Sequence, residues 1–131
     1  MTPIAAAAPP APGPAEGFIA QTRGISARLG SLREGQPDVM KGFGALGRAA
    51  LAPGALDAKT KELLALALGV ASRCDPCIGF HAQALVRLGA SRAELDETLG
   101  VVVYMGGGPS LMYAAHALAA FDEFSAAAGA A

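Results

Sequence analysis

Tryptophan is absent, aromatic residues make up 5% of the chain, and cysteine occurs twice. Neither sign of charge dominates: 10 basic side chains stand against 11 acidic ones, for a net charge of −1. Without a basic surplus, or basic runs interleaved with aromatics, the electrostatic footprint of a nucleic-acid or anionic-membrane binder is missing. Neither partner is expected. The longest unbroken apolar run, Leu63 to Ala71, is about half of the roughly 20 residues that a membrane-spanning helix needs. Strand-like alternation is also missing, which leaves helix as the only regular element. No basic segment precedes the alanine run near the start, so a secretory signal fits poorly. Pro3, Pro9, Pro10, Pro12 and Pro14 interrupt that stretch, and residues 1–15 are expected to form a flexible Pro/Ala-rich tail. With no export signal, two cysteines suit a cytoplasmic, reducing compartment and a redox or metal role rather than a structural staple.

What remains is a chain of 131 residues, enough for one domain, over 16–127. It is 53% hydrophobic with a mean hydropathy of +0.40, rich for so small a domain. Alanine-rich helices account for part of that surplus, and apolar surface buried between subunits for the rest, so an oligomer is expected. Helical spacing of apolar residues predicts an all-α fold of five or six helices. The first, near 15–33, carries Phe18, Ile19, Thr22, Ile25 and Leu29 on one side, and Gly35-Gln36-Pro37 breaks it. A second, loosened by glycines, runs from Pro37 to Leu51. Asp57 is a plausible cap for a third, which carries Glu62 and continues to about Ser72. Asp75 is expected to cap a fourth with Pro76 at its first position, ending near Leu88 before Gly89. Ser91-Arg92-Ala93-Glu94 is a capping-box signature opening a fifth, to about Met105. The glycine triplet 106–108 reads as a turn into the last helix, roughly 110–127, with Leu111, Ala114, Ala115, Leu118 and Phe121 on one face.

The two cysteines stand three apart, at Cys74 and Cys77, and His81 follows four residues later. A cysteine in the first turn of a helix meets unpaired N–H groups and the positive end of the helix dipole, which favour its thiolate. Cys77 and His81, at i and i+4, share a helix face. Cys74 can fold back over the helix end to bond Cys77, which makes Cys77 the attacking thiol and Cys74 the resolving one. Asp75 works against the thiolate, because a neighbouring carboxylate disfavours it. A zinc site built from Cys74, Cys77, His81 and His116 is a rival, although the closing pair of close-spaced ligands is missing. His116 alone reads as structural. Glu62 points either to solvent beside Lys59 and Lys61 or toward the dithiol. Tyr104, Met105, Met112 and Tyr113 read as core or interface.

Glu62, eleven intervening residues, Cys74-x-x-Cys77 and x-x-x-His81 resemble the signature of the alkyl hydroperoxidase D-like, or carboxymuconolactone decarboxylase, family. The segment from Met105 to Phe124 is also similar to small members. The resemblance spans roughly Leu51 to Phe124. It implies an all-helical fold assembling into trimers or hexamers, with sites near subunit contacts. It also implies that Cys77 is peroxidatic, Cys74 its partner, and Glu62 and His81 a proton relay. The implied substrate is a hydroperoxide, and the implied reductant a lipoyl dithiol or a thioredoxin-like protein. The decarboxylase branch usually lacks the cysteine pair, so its presence favours the peroxidase branch. One departure is plain: Asp75-Pro76 stands where the best-known peroxidase members carry a histidine between the cysteines.

The expected function is therefore a thiol-dependent peroxidase acting on organic hydroperoxides, with Cys77, Cys74, His81 and Glu62 as catalytic residues and no cofactor or metal. Alternatives are a disulfide reductase or redox sensor using the same dithiol, and a decarboxylase-like enzyme whose cysteines are incidental.

Overall fold

The structure, a computed structural model, describes residues 11–129. Most of the expected tail at 1–15 lies outside the described residues. Six helices and, among the described residues, no strand make the fold all-α, as the periodicity predicts. They are α1 (Phe18–Gly35), α2 (Pro37–Leu51), α3 (Ala58–Ala71), α4 (Asp75–Arg87), α5 (Arg92–Gly106) and α6 (Gly108–Gly129). No described helix is long and apolar enough to cross a membrane.

Local chemistry accounts for most helix ends. Asp57 caps α3 by accepting from the Thr60 N–H at 2.7 Å. Ser91 and Glu94 complete the reciprocal capping box of α5. The end of α3 is less ordinary. The Cys74 N–H reaches back to the Gly69 carbonyl and the Arg73 N–H to that of Val70, a Schellman closure that forces Arg73 to a φ of 55°. The start of α1 is capped from far away. Glu123 of α6 accepts the N–H groups of Phe18 and Ile19 at 2.9 and 3.0 Å.

Helix α4 is the centre of the molecule, packed against α6, α3 and α1. Its Ile78, Ala82 and Leu85 are fully buried among Leu66 and Val70 of α3, Leu95 and Leu99 of α5, and Phe18 of α1. Gly79 lets α1 approach, since a Cβ there would lie 2.8 Å from the Thr22 methyl. On α6 the buried face is Ser110, Ala114, Ala117, Ala120, Phe121 and Phe124. The expected face is thus rotated, because Leu111 is exposed and the small side chains seat α6 against α4.

The first two helices behave differently. After Thr22, α1 buries nothing, and α2 buries no residue at all. Ile25 and Leu29, expected on the core side of α1, are only half-buried, because α1 leaves α4 to pair with α2. Val39, Phe43 and Leu46 lie at i, i+4 and i+7 along α2, all exposed, with Phe43 70% open. Tyr104, Met105 and Met112 are exposed as well, so they are not core.

Candidate active site

Everything expected of the dithiol site is carried by the α3–α4 pair. Glu62 projects from the second turn of α3, and Cys77 and His81 lie one turn apart on α4. The two helices come very close here. Gly69 of α3 is buried, and a Cβ at that position would stand 3.2 Å from the Cys77 Cβ. A larger residue at 69 would force α4 to shift relative to α3, and with it Cys77 and His81 relative to Glu62.

Cys74 and Cys77 are joined as a disulfide, with 5.3 Å between their Cα atoms. Cys74, not Asp75, is the N-cap of α4. It takes the extended conformation of a cap, and its Sγ accepts the Cys77 N–H at 3.3 Å. Asp75 is instead the first helical residue and Pro76 the second, where its missing N–H costs nothing. Both sulfurs therefore sit at the positive end of α4, where a thiolate is electrostatically favoured.

His81 Nδ1 lies 2.6 Å from Glu62 Oε2. The carboxylate is well covered, with 13% of its side chain exposed against 29% for His81, so the solvent-facing alternative for Glu62 is set aside. A carboxylate only accepts when ionised, so Nδ1 carries the proton and Nε2 is the nitrogen free to take another. A shallow pocket of about 290 Å³ collects Cys77 and His81 together with Ala65, Leu68, Gly69 and Ser72. It is apolar on the α3 side and carries sulfur and imidazole on the α4 side. A larger cavity, of about 790 Å³, lies between α1 and α2 and includes none of the dithiol residues.

A second carboxylate–imidazole pair stands at the same helix end. His116 Nδ1 of α6 lies 2.6 Å from Asp75 Oδ1, and the imidazole leans on the Tyr113 ring with centroids 4.5 Å apart. No residue spacing announces this contact, because the partners are 41 positions apart and on different helices. The zinc alternative does not assemble. The two sulfurs bond each other, each histidine is engaged by a carboxylate, and no group of three or more potential ligands occurs among the described residues.

Shifted ionisation lies elsewhere. The cap bond from Thr60 holds Asp57 below its ordinary value, and the Lys59 ammonium holds Glu94 below its own. Glu94 in turn raises Lys59, across a 2.7 Å bridge that ties the start of α3 to α5. Asp57 is exposed, Lys59 and Glu94 are half-buried, and all three belong to the scaffold rather than to the dithiol.

Residues 37–120 match the sequence model of the carboxymuconolactone decarboxylase family. An uncharacterized protein of Cupriavidus necator is 43% identical to this chain over 102 residues, covering 78% of this chain and 90% of that protein. An uncharacterized protein from the cox locus of Paracoccus denitrificans is 34% identical over 102 residues, covering 78% and 92%. Among solved structures, a carboxymuconolactone decarboxylase family protein from Legionella pneumophila superposes with a TM-score of 0.81 at 59% identity, covering 82% of this chain and 96% of that one. A family protein from Thermotoga maritima, for which involvement in antioxidative response has been suggested, gives a TM-score of 0.75 at 29% identity, covering 84% and 94%.

Proposed function

The chain belongs to the carboxymuconolactone decarboxylase family, and from that premise we propose that it is a thiol-dependent peroxidase acting on organic hydroperoxides through Cys77 and Cys74. The observation that carries the proposal is the Glu62–His81 pair, 2.6 Å apart, sharing a pocket with Cys77 while Cys74 is close enough to be bonded to it.

In the reduced protein, His81 Nε2 takes the proton of Cys77, and Glu62 holds the ring through Nδ1 and stabilises its added charge. The thiolate attacks the terminal oxygen of the hydroperoxide. The O–O bond breaks, and the alcohol leaves with a proton returned by the imidazole. Cys77 is then a sulfenic acid, which Cys74 attacks from the adjacent cap position. Water leaves and the Cys74–Cys77 disulfide forms. An external dithiol, of the lipoyl or thioredoxin-like kind, resets the pair by exchange. The aliphatic wall made by Ala65, Leu68 and Gly69 suits an organic hydroperoxide better than hydrogen peroxide. A reducing cytoplasm is the setting in which such a donor operates.

Pocket shape favours one second reading. The site is shallow and Leu68 at its rim is 68% exposed, which would also admit the disulfide of a protein partner. Steady-state assays with cumene hydroperoxide and a dithiol reductant separate the two. The peroxidase reading expects turnover that saturates with peroxide and is abolished in Cys77→Ser. Full activity in that variant, or no peroxide dependence, would overturn it.

A further inference from the structure

Two carboxylate–imidazole pairs involve α4, Glu62–His81 and Asp75–His116, and the second, whose Asp75 directly follows Cys74, is not used by the cycle above. We infer that His116 is a positioning residue that draws the Asp75 carboxylate away from the dithiol, and so sets how readily the Cys74–Cys77 disulfide is reduced. The inference rests on the dithiol being redox-active, not on peroxide being the oxidant.

The chemistry of the resetting step shows why Asp75 matters. Cys77 lines the pocket beside His81, and an external dithiol entering that pocket attacks with its thiolate at Cys77 Sγ. As that bond forms, the Cys77–Cys74 bond breaks and its electron pair leaves on Cys74 Sγ. The reductant's second thiol then displaces Cys77 and closes the reductant's own disulfide. The two protons from the reductant's thiols end on the two cysteine sulfurs, so electrons and protons balance.

Negative charge therefore develops on Cys74, whose Cα is about 3.8 Å from that of Asp75 across one peptide bond. The helix end stabilises that charge, and an unpaired carboxylate one residue away opposes it. His116 prevents the opposition. Its Nδ1–H, 2.6 Å from Oδ1, anchors Asp75 to α6 and holds the carboxylate in a hydrogen bond directed away from the dithiol. The pair is only 21% and 23% exposed, so water screens it poorly, and contact with Tyr113 fixes the ring.

The test adds reduced dithiothreitol to the oxidised full-length protein at one fixed pH, quenches with acid at intervals, and counts free thiols by intact mass. In His116→Phe, which keeps a ring but removes the donor, the rate of disulfide reduction is expected to fall about fivefold, as a newly freed carboxylate near the departing thiolate would cause. Asp75→Asn is expected to raise the rate. Adding His116→Phe to Asp75→Asn is expected to change nothing further. An unchanged rate in folded His116→Phe, or the same fall when His116→Phe is added to Asp75→Asn, would overturn the inference. Should His116→Phe fail to fold by circular dichroism, Asp75→Asn decides alone, and an unchanged rate there refutes the role. Because no peroxide enters this assay, its outcome is independent of the peroxidase reading.

Discussion

At the scale of single residues, the proposed cycle depends on Glu62 holding His81. Glu62→Gln keeps the size and one hydrogen-bond acceptor but removes the charge that supports a protonated imidazole. Peroxide turnover is expected to fall about a hundredfold, within the usual range for a lost acid–base contribution, with little change in melting temperature. Turnover within about twofold of wild type would remove Glu62 from the relay. Cys77 and His81 were legible as neighbours because the i, i+4 spacing puts them on one face of a helix, whereas Glu62 joined them only through the family resemblance, since helical spacing alone left it open between solvent and the dithiol. The structure brings Glu62 onto His81 and leaves their catalytic roles to be measured. The Asp75–His116 contact was not legible. It depends on how α6 docks against α4, which no local pattern encodes. Asp75 looked like a helix cap because aspartate so often is one. Here the cap position falls on Cys74 and frees the carboxylate for His116.

At the scale of elements, the junction between α3 and α4 concentrates the strain. Arg73 sits at a φ of 55°, where a Cβ is unfavourable, because the Schellman closure of α3 must turn the chain sharply into Cys74. Its side chain is exposed, so replacing it sacrifices little packing. Arg73→Gly is expected to stabilise the fold by up to about 1 kcal/mol, after the greater freedom of glycine in the unfolded chain is counted. Urea unfolding measures it, and a destabilised variant would mean that the arginine side chain matters in its own right. Helix ends with strong chemistry, such as the Asp57 cap and the Ser91–Glu94 box, were readable because each is closed by its own neighbours. Faces were harder. Alanine dominates α6, so small shifts in docking rotate which residues are buried, and Leu111 ends exposed where a core position was expected. The half-buried Ile25 and Leu29 of α1 have the same cause, since an amphipathic pattern does not specify what the helix packs on.

At the scale of the whole molecule, one chain leaves much apolar surface uncovered. Phe43 on α2 is 70% exposed, Tyr104 and Met105 on α5 are 85% and 76% exposed, and α2 buries nothing. Surface of this kind is the reason to propose an oligomer, with a trimer or hexamer as the assembly expected from the family resemblance. Sedimentation equilibrium is expected to give such a multiple, and Phe43→Glu to weaken it; a monomer at micromolar concentration would contradict the proposal. The central claim, however, is chemical. Its most direct measurement is the intact mass of the reduced, metal-free protein after one equivalent of cumene hydroperoxide. Rapid loss of two thiols with a two-hydrogen mass decrease, and in Cys74→Ser a gain of one oxygen on Cys77, is the result the account predicts. Intact thiols and an unchanged mass would contradict it.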